Sequence, residues 1–391
     1  MLSIALCGLG GYGEGFYLEP LLKGHEAGEW KLTATIDPFP ERCILLQELR
    51  NKDIPIYPSL DAFYAAGKCD LTILSTPIHL HCQQTCMALE HGSHVLCEKP
   101  LCGSLEEMDR MTMAEKISGK TVTIGYQWSF SRAVQQLKAD CLAGKLGRPR
   151  RMRALIGSRR DEAYYRRNNW AGAIRTPEGG WVLDSPVNNG TAHYLHNMLY
   201  ILGTSTSESA VPERIEGDLW RANSTENYDT AALRIHVQGG AELLFLTSHA
   251  TENNKGPLFS YEFDLARVDY DATHSSLLAR FESGEEIDYG FPDADPLEKL
   301  RYAVDSALTG KTPVCGISAA SAHTRCVVMA QSAAPIRDFP SSSVHTLVEG
   351  TNTRRYVEGL DAVMAHCYQE WKLFKEIDPG RIGLDLQVIR G

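Results

Sequence analysis

The chain opens with a glycine-rich loop placed directly after an apolar, strand-like run. SIALC at residues 3–7 is followed by Gly8, Gly10 and Gly13 in the spacing G-x-G-x-x-G. The first glycine permits a tight turn, the second lets backbone approach a pyrophosphate, and the third lets the next helix pack against its strand. The free N–H groups at the start of that helix favour phosphate. The pattern predicts a dinucleotide site, with an ordinary glycine-rich turn as the alternative.

An acidic residue follows at the spacing that a ribose contact requires. The β-rich run KLTATID ends in Asp37, about 24 residues after Gly13. A carboxylate there can bind both hydroxyls of an adenosine ribose and would repel a 2′-phosphate, so the sequence favours NAD over NADP. Because Pro38 follows Asp37, ordinary turn chemistry is the alternative for this position.

Strand-like and helix-like segments alternate through the first third of the chain. Strands are predicted at 70–75, 94–97 and 121–125, and helices near 40–50, 79–90 and 105–116. Strands separated by helices of about ten or more residues form βαβ crossovers, and these build a doubly wound parallel sheet. Residues 1–126 are therefore predicted to form a Rossmann-type dinucleotide-binding domain.

The composition argues against several classes of protein. A chain of 391 residues exceeds what one hydrophobic core usually supports, which favours two domains. No apolar run reaches the roughly 20 residues of a membrane-spanning helix, and the net charge of −10 disfavours nucleic acid as a partner. The eleven cysteines form no CxxC pair, so reduced thiols are expected rather than a metal site. With no basic leader before the short apolar run at 2–6, a cytoplasmic location is expected.

Two further motifs lie where parallel strands are predicted to end. STPIHLH (75–81) has the form T-P-x-x-x-H, and HVLCEKPL (94–101) contains E-K-P. Together with GLGGYG, these motifs resemble in order and spacing the Gfo/Idh/MocA oxidoreductase family, named for glucose-fructose oxidoreductase, inositol dehydrogenase and a rhizopine-catabolism protein. The resemblance covers most of the chain and fades after about residue 335. It implies that the dinucleotide contacts Gly8, Gly10, Gly11, Tyr12, Gly13, Asp37, Ser75, Thr76, Pro77, His81, Glu98, Lys99 and Gln127.

The resemblance also implies a second domain, at residues 127–335, which binds substrate and forms a large, mostly antiparallel open sheet with helices on one face. β-rich runs at 213–220, 230–238, 241–250 and 260–270 agree, and Gly239-Gly240 predicts a hairpin between two of them. The basic segment RPRRMR (148–153) is predicted to be a charged edge strand. Because the family's open sheet face commonly meets another subunit, a homodimer or homotetramer is expected.

Residues 336–391 are predicted to form a helical extension that packs on the body of the protein or on a neighbouring subunit. The segment 354–377 places apolar side chains on one face of a helix. Such a stripe is typical of core packing or of a subunit contact.

The proposed chemistry needs a base for a hydroxyl proton while a hydride leaves for the nicotinamide. The resemblance assigns Lys99 to hold and polarise that hydroxyl, with a surface lysine as the alternative. The family's D-x-x-x-H segment, counted back from Gly203, falls on Asn189 and His193. An imidazole, with a reference pKa of about 6.5, suits reversible proton transfer. Asn189 departs from the pattern because an amide accepts no proton, and His196 stands where the family often has Asp. A core role is the alternative for both histidines.

The connection at 159–193 is rich in polar and aromatic side chains. Such side chains offer a polyol hydrogen-bond partners and an apolar plane for its ring. A structured surface loop is the alternative. The predicted substrate contacts are Lys99, Tyr126, Tyr165, Arg167, Asn168, Trp170, Asp184, Asn188, Asn189 and His193.

Three functions remain open from the sequence. The leading hypothesis is an NAD-dependent oxidoreductase that transfers a hydride between the nicotinamide and a hydroxyl of a sugar, cyclitol or sugar derivative. The second is a redox-neutral lyase or glycosidase that uses NAD transiently, which the Asn at 189 keeps open. The third, a non-catalytic NAD-binding regulator, is disfavoured because it has no need of both Lys99 and His193.

Overall fold

The computed structural model describes residues 1–271 and 274–377. Its helices are α1 (Glu19–Ala27), α2 (Leu46–Asn51), α3 (Leu60–Ala66), α4 (Ile78–Glu90), α5 (Leu105–Ser118), α6 (Arg132–Leu142), α7 (Glu162–Arg166), α8 (Ala192–Ile201), α9 (Glu298–Thr309), α10 (Ile317–Ala333) and α11 (Leu360–Glu370). Its strands are β1 (Leu2–Cys7), β2 (Trp30–Ile36), β3 (Ile56–Tyr57), β4 (Leu71–Leu74), β5 (His94–Cys97), β6 (Val122–Ile124), β7 (Pro149–Gly157), β8 (Pro212–Arg221), β9 (Thr230–Val237), β10 (Glu242–Ser248), β11 (Lys255–Phe263), β12 (Ala266–Asp271), β13 (Ser276–Phe281), β14 (Glu286–Gly290), β15 (Ile336–Asp338), β16 (Val344–Glu349) and β17 (Asn352–Val357).

The chain divides into two compact units, the first made of residues 1–130 and 295–321 and the second of residues 131–294 and 322 onward. This division differs from the one expected from the sequence, which assigned 295–321 to the second domain. The reason is that Leu300 and Ala303 of α9 belong to the apolar core of the first unit. A helix far along the chain thus completes the N-terminal domain.

The first unit is built on a six-stranded parallel sheet in the order β3-β2-β1-β4-β5-β6. The predicted alternation of strands and helices is confirmed. The sequence reading missed β3 and α3, although Ser59 caps α3 by accepting a hydrogen bond from the Ala62 N–H. The strand order reverses between β1 and β4, and the crevice at such a switch point is where doubly wound sheets bind ligands.

The second unit is built on a nine-stranded sheet in the order β14-β13-β12-β11-β7-β10-β9-β8-β15. Two neighbouring pairs, β7 with β10 and β8 with β15, are parallel, and the others are antiparallel. The mostly antiparallel sheet is therefore confirmed. So is the hairpin between β9 and β10, where Gly239 and Gly240 both have φ near +90°, a conformation that favours glycine.

One local prediction about this sheet was wrong. The basic segment 148–153 leads into β7, a central strand rather than an edge strand. Its positive charge is tolerated there because Arg150 and Arg151 pair with Asp264 and Glu262 on the neighbouring segment. The β-rich run 260–270 does lie in strands, β11 and β12, with a turn between them.

The C-terminal helix begins later than predicted, because residues 352–357 form β17 and pair with β16. Val357, Val363 and Cys367 are buried in an apolar cluster against the sheet, so this part of the extension packs on the body of its own chain. α11 lies on the sheet face opposite to α8: Arg153 of β7 donates to the Tyr368 carbonyl of α11, whereas Asn197 of α8 bonds to Tyr261 beside Met152. Residues 378–391 of the predicted extension lie outside the described residues.

Across residues 1–271 and 274–377, no helix combines the length and the apolar character needed to cross a bilayer. All eleven cysteines are free thiols.

Candidate active site

The glycine-rich loop follows β1 and needs glycine at two positions for steric reasons. A Cβ on Gly8, which has φ +94°, would overlap the Ser75 carbonyl, and a Cβ on Gly13 would overlap the Gly8 carbonyl oxygen. Gly10 is different, because no atom lies within 4 Å of the position its Cβ would take. The loop is thus compact beneath and open above Gly10, which fits the close approach of a pyrophosphate.

Asp37 lies at the end of β2, where the sequence predicts the ribose contact. Its Oδ2 accepts a hydrogen bond from the Leu9 N–H at 2.8 Å, and its Oδ1 accepts one from the Phe39 N–H at 2.7 Å. The carboxylate therefore ties β2 to the glycine-rich loop. Its proposed contact with a ribose stays a prediction.

His81 connects the two strand-end motifs. Its Nδ1 lies 2.8 Å from the Pro100 carbonyl oxygen and its Nε2 lies 2.9 Å from that of Thr76. The side chain is 1% exposed, and burial lowers its pKa. These contacts make His81 a brace between the T-P segment, which includes Ser75 and Pro77, and the E-K-P segment. A direct contact with the cofactor is harder to reconcile with such burial.

Glu98 is held in a buried polar network. Its Oε1 accepts hydrogen bonds from Lys299 Nζ at 2.5 Å and from Tyr17 Oη at 2.6 Å. Burial alone would raise the pKa of Glu98, but Lys299, together with Tyr17 and Lys99, outweighs that effect and lowers the pKa below its usual value. Gly125 leaves room for the carboxylate, because a Cβ there would lie 2.8 Å from Oε1. The network fixes the residue immediately before Lys99.

Lys99 is half-buried, and its N–H donates to Glu98 Oε2 at 3.1 Å. It lies just past the carboxyl end of β5, at the edge of the sheet where parallel sheets of this type bind ligands. The position predicted for the catalytic lysine is therefore on the correct edge of the first unit.

Lys299 also reaches the glycine-rich loop. Its Nζ donates to Tyr12 Oη at 2.9 Å, and Tyr12 Oη donates to Gln127 Oε1 at 3.3 Å. The Tyr12 ring, which is 45% exposed, stacks on Phe16. Tyr126 is completely buried, so its side chain offers no surface to a substrate, in contrast to the role predicted for it.

In the second unit, Asp184, Asn189 and His193 lie around the start of α8. The chain enters α8 through a π-helical turn, Pro186–Gly190, that Ser185 caps. Asn189 Nδ2 donates to Asp184 Oδ1 at 2.8 Å, and the Gly172 N–H donates to Asp184 Oδ2 at 2.6 Å. His193 is half-buried in the first turn of α8. A carboxylate thus lies against the residue where the D-x-x-x-H pattern lacks one.

Tyr165 is paired with a buried histidine. Its hydroxyl lies 3.1 Å from Nδ1 of His249, which follows β10 and is 2% exposed. His249 Nε2 has no hydrogen-bond partner among the described residues and lies against Gly190, whose Cβ would overlap it. Burial, and then the charges of Arg160 and Arg167, hold the pKa of His249 well below its ordinary value. The imidazole is therefore neutral.

The other predicted substrate contacts in this unit differ in accessibility. The Arg167 guanidinium is exposed, lies 3.7 Å from the centre of the Tyr164 ring and is near Trp170. Asn168 uses its side-chain oxygen to accept the N–H groups of Trp170 and Ala171. Asn188 is 1% exposed and donates to the Val182 carbonyl, so it supports the loop rather than facing a ligand.

His196 lies in the interior of the second unit, stacked on Tyr200. Burial, with the charges of His323 and Lys138, lowers its pKa well below the ordinary value. The core alternative suits this residue better than a site role.

The predicted residues thus form two groups. The first unit carries the glycine-rich loop, Asp37 and the E-K-P segment, and the second carries Asp184, Asn189, His193 and the 159–170 loop. Sequence reasoning missed Lys299, Tyr17 and His249. Lys299 gives no local signal, because its partner is about 200 residues away in sequence, whereas His249 could have been noticed as a polar residue just past a strand end. Within residues 1–271 and 274–377, no group of three or more His, Cys, Asp or Glu side chains could hold a metal ion.

Comparison with known proteins assigns the first unit. Residues 2–126 match the model of the oxidoreductase family with an NAD-binding Rossmann fold. Similar curated proteins include the 1,5-anhydro-D-fructose reductase of Ensifer adhaerens, 29% identical over 155 residues (39% of this chain, 40% of that protein). The 2,7-anhydro-N-acetylneuraminate hydratase of Mediterraneibacter gnavus is 28% identical over 147 residues (38% of this chain, 37% of that protein). The alignments therefore span about two fifths of these relatives.

Solved structures extend the likeness of fold to both units. The WlbA dehydrogenase of Bordetella pertussis, in complex with NADH and UDP-GlcNAcA, superposes with a TM-score of 0.68 at 19% identity, over 85% of this chain and 96% of that chain. The aldose-aldose oxidoreductase of Caulobacter crescentus, in complex with glycerol, gives a TM-score of 0.66 at 20% identity, over 85% and 97%. At these identities the likeness shows the fold alone.

Proposed function

Because residues 2–126 belong to the Gfo/Idh/MocA oxidoreductase family, we propose that this protein is an NAD-dependent oxidoreductase that acts on a hydroxyl of a sugar or sugar derivative. Two features of the first unit carry the proposal. The glycine-rich loop is open above Gly10, and Lys99 lies at the neighbouring edge of the sheet, where its N–H donates to the Glu98 carboxylate. The sugar-related names of the relatives support the substrate class.

The residues of this chain have separable tasks in the proposed reaction. When bound, NAD supplies the group that accepts or returns a hydride. The glycine-rich loop holds the pyrophosphate, and Asp37 holds a ribose. The Lys99 ammonium donates to the reacting hydroxyl oxygen and favours its deprotonation, because it stabilises the developing negative charge. His193 accepts the proton, and Asn189, held by Asp184, orients the substrate by hydrogen bonding.

A second candidate reaction is favoured by the Asp184–Asn189 contact. In a redox-neutral reaction, an alcohol carbon would give its hydride to NAD and its O–H proton to a base, and the new carbonyl would acidify the neighbouring C–H bond. A base would take that proton as a leaving group departs from the next carbon, and the hydride and a proton would then return to the carbonyl. Asn189 does not remove the C–H proton, but Asp184 supplies a carboxylate next to it. One relative is named as a hydratase.

A fluorescence titration with NADH and with NADPH tests the cofactor assignment, and sugars are then screened with NAD. Saturable binding with NADH the tighter supports the proposal, and no binding of either nucleotide refutes it. Lys99→Met is expected to abolish turnover while NADH binding persists. Net NADH formation identifies the oxidoreductase, whereas exchange of substrate C–H hydrogen with solvent, without net NADH, identifies the redox-neutral reaction.

A further inference from the structure

Two arginines of the substrate loop converge on one aromatic ring. The guanidinium carbons of Arg160 and Arg167 lie 4.8 Å and 3.7 Å from the centre of the Tyr164 ring. Both cations contact the same ring, so the two like charges repel each other across it. We call Arg160 and Arg167 the arginine pair.

No carboxylate among the described residues neutralises the arginine pair, since neither arginine has one within 4 Å. The acidic side chains nearby are engaged elsewhere. Asp161 caps α7 by accepting the Tyr164 N–H, Glu162 pairs with Arg166, and Asp184 accepts from Gly172 and Asn189. Neither guanidinium of the arginine pair is therefore held in an ion pair, which leaves both able to bind an anion.

The donors of the arginine pair are also incompletely used. Arg160 Nε is buried and has no acceptor. Its NH1 makes a long 3.4 Å contact with the Arg159 carbonyl, and the guanidinium also hydrogen-bonds the Tyr164 hydroxyl. Arg167 NH1 donates to the Tyr164 carbonyl, which fixes the side chain but leaves its other donors available. A buried N–H without an acceptor is costly, and a guanidinium fork matches carboxylate or phosphate oxygens.

The carboxylates of Asp184 and Asp229 act on the ring hydroxyls of this loop through their charge, but neither forms an ion pair with Arg160 or Arg167. His249, which faces Tyr165 beneath this loop, is buried and neutral. Tyr164 and Tyr165 keep their phenol protons, because burial raises the pKa of both. The Tyr164 and Trp170 rings form the apolar part of the same surface, and Tyr165 adds a hydroxyl. The surface therefore combines a positive charge with groups suited to a sugar ring.

We propose that the arginine pair binds an acidic group, a carboxylate or a phosphate, on the sugar substrate, so that the enzyme acts on an anionic sugar. This inference rests on the proposed function, because it names the substrate class of the same site. It assigns Arg160 and Arg167 to specificity rather than to hydride transfer.

The test compares three probes that differ at one carbon: D-glucuronate, D-glucose 6-phosphate and D-glucose. Binding of each to the NADH-saturated protein is measured by isothermal titration calorimetry. We expect at least one acidic probe to bind about tenfold or more tightly than glucose, a difference of about 1.4 kcal/mol. The advantage is expected to shrink between about 50 mM and about 500 mM NaCl, because the pair is near the surface. Whichever acidic probe binds tighter distinguishes carboxylate from phosphate.

Variants then locate the effect. Arg160→Gln and Arg167→Gln are expected to remove the preference for the acidic probe while leaving the affinity for NADH unchanged. Arg166→Gln is the matched control, because Arg166 is exposed and already paired with Glu162; it is expected to keep the preference.

The outcomes separate this inference from the proposed function. Failure of NADH to bind refutes the proposed function, whatever the sugars do. If NADH binds but glucose binds as tightly as both acidic probes, or if no probe binds, the arginine pair is not an anion site and the inference alone is wrong. An acid preference that survives in both arginine variants also overturns it.

Discussion

At Gly10 the fold does not require glycine, whereas the proposed binding of a pyrophosphate does. Its Cβ position is empty, and its φ is not among the positive values of the chain. Gly10→Ala is therefore expected to fold like the unsubstituted protein, yet to bind NADH at least about tenfold more weakly, because the methyl group would fill the space of the pyrophosphate. Fluorescence titration measures the affinity and thermal unfolding measures the fold.

Gly15→Ala is the matched control for this change. Gly15 has equally open surroundings but lies beyond the G-x-G-x-x-G pattern, so its variant should bind NADH normally. If Gly10→Ala bound NADH as well as Gly15→Ala does, the loop would not contact the pyrophosphate.

Lys299 and Glu98 form an ion pair whose side chains are 0% and 8% exposed. Lys299→Met leaves Glu98 buried without its cation, which is expected to reduce the free energy of unfolding by about 3–5 kcal/mol at pH 7. Urea denaturation measures this loss. The double variant Glu98→Gln/Lys299→Met removes both charges and should recover much of it. Lys23→Met, which breaks an exposed pair with Glu19, should leave stability almost unchanged, because solvent screens such pairs.

The pH dependence of this pair has a definite sign. The pKa of Glu98 in the folded protein lies below its usual value, so its pairing contributes stability at pH above about 4.3, and the contribution is lost as pH falls through the lower folded value. In Lys299→Met the strongest opposition to burial is removed and the pKa of Glu98 rises, although Tyr17 and Lys99 still act against burial. The deficit should therefore be largest at neutral pH and shrink as the solution is acidified. A deficit equal at pH 7 and pH 5 would contradict this account.

Sequence reasoning succeeded at the level of elements where the signal is local. The helix of STPIHLH and the strand before E-K-P lie within a residue or two of their predicted bounds, because apolar periodicity and strand-end prolines act over short distances. It failed for β7, predicted as an edge strand. The compensating carboxylates of Asp264 and Glu262 come from more than 100 residues away, and a single sequence does not show such pairings.

The candidate site shows the same limit. The pattern identified Asn189 as a departure from D-x-x-x-H, but it did not show that Asp184, five residues earlier, hydrogen-bonds to it. The π-helical turn Pro186–Gly190 folds the chain back and makes this contact. The carboxylate of Asp184 therefore lies beside the position where the pattern would have an aspartate. The contact becomes visible only once the path of the backbone is known.

The contact within this turn predicts what happens when Asn189 is replaced by the aspartate of the D-x-x-x-H pattern. Asn189→Asp would place a second carboxylate about 3 Å from Asp184, where like charges repel and one carboxyl tends to stay protonated. It is expected to lower stability by about 1–3 kcal/mol at pH 7, with a smaller loss at pH 5. The exchange Asp184→Asn/Asn189→Asp should restore stability, since it returns one amide and one carboxylate. Urea denaturation at both pH values measures this.

Asn51→Asp serves as the control, because Asn51 is exposed and its oxygen accepts a hydrogen bond from Gln47, which a carboxylate preserves. Should Asn189→Asp prove as stable as the unsubstituted protein at pH 7, the Asp184–Asn189 contact would not be a fixed part of this turn.

For the whole molecule, the C-terminal segment changes what the second sheet exposes. α11 covers an apolar area that includes Leu155, Leu244 and Leu246. Farther along the same face, β12 to β14 carry ion pairs such as Arg280 with Glu286. A face filled by the chain's own helix and by charge is unsuited to a broad apolar subunit contact. The homo-oligomer expected from the sequence stays a prediction, and its interface would differ from a bare open sheet.

The first unit is discontinuous in sequence, because it combines residues 1–130 with residues 295–321. The later segment supplies Leu300 and Ala303 to the apolar core and pairs Lys299 with Glu98. A fragment of residues 1–130 should therefore fold poorly, because it exposes apolar surface and leaves a buried carboxylate without its cation. A fragment that continues through a flexible Gly/Ser linker of about 15 residues into 295–321 should fold and bind NADH. Amide chemical-shift dispersion in NMR and NADH fluorescence measure the two properties.

The control fragment carries the same linker with residues 295–321 in scrambled order, which keeps composition and length but not the apolar face of α9. It should behave like residues 1–130 alone, because only the native order presents Lys299, Leu300 and Ala303 together. A well-dispersed spectrum and normal NADH binding from residues 1–130 would mean that the N-terminal sheet is self-sufficient. α9 would then not be needed for folding of the first unit. The contacts of Lys299 with Glu98 and Tyr12 would orient these residues without stabilising the fold.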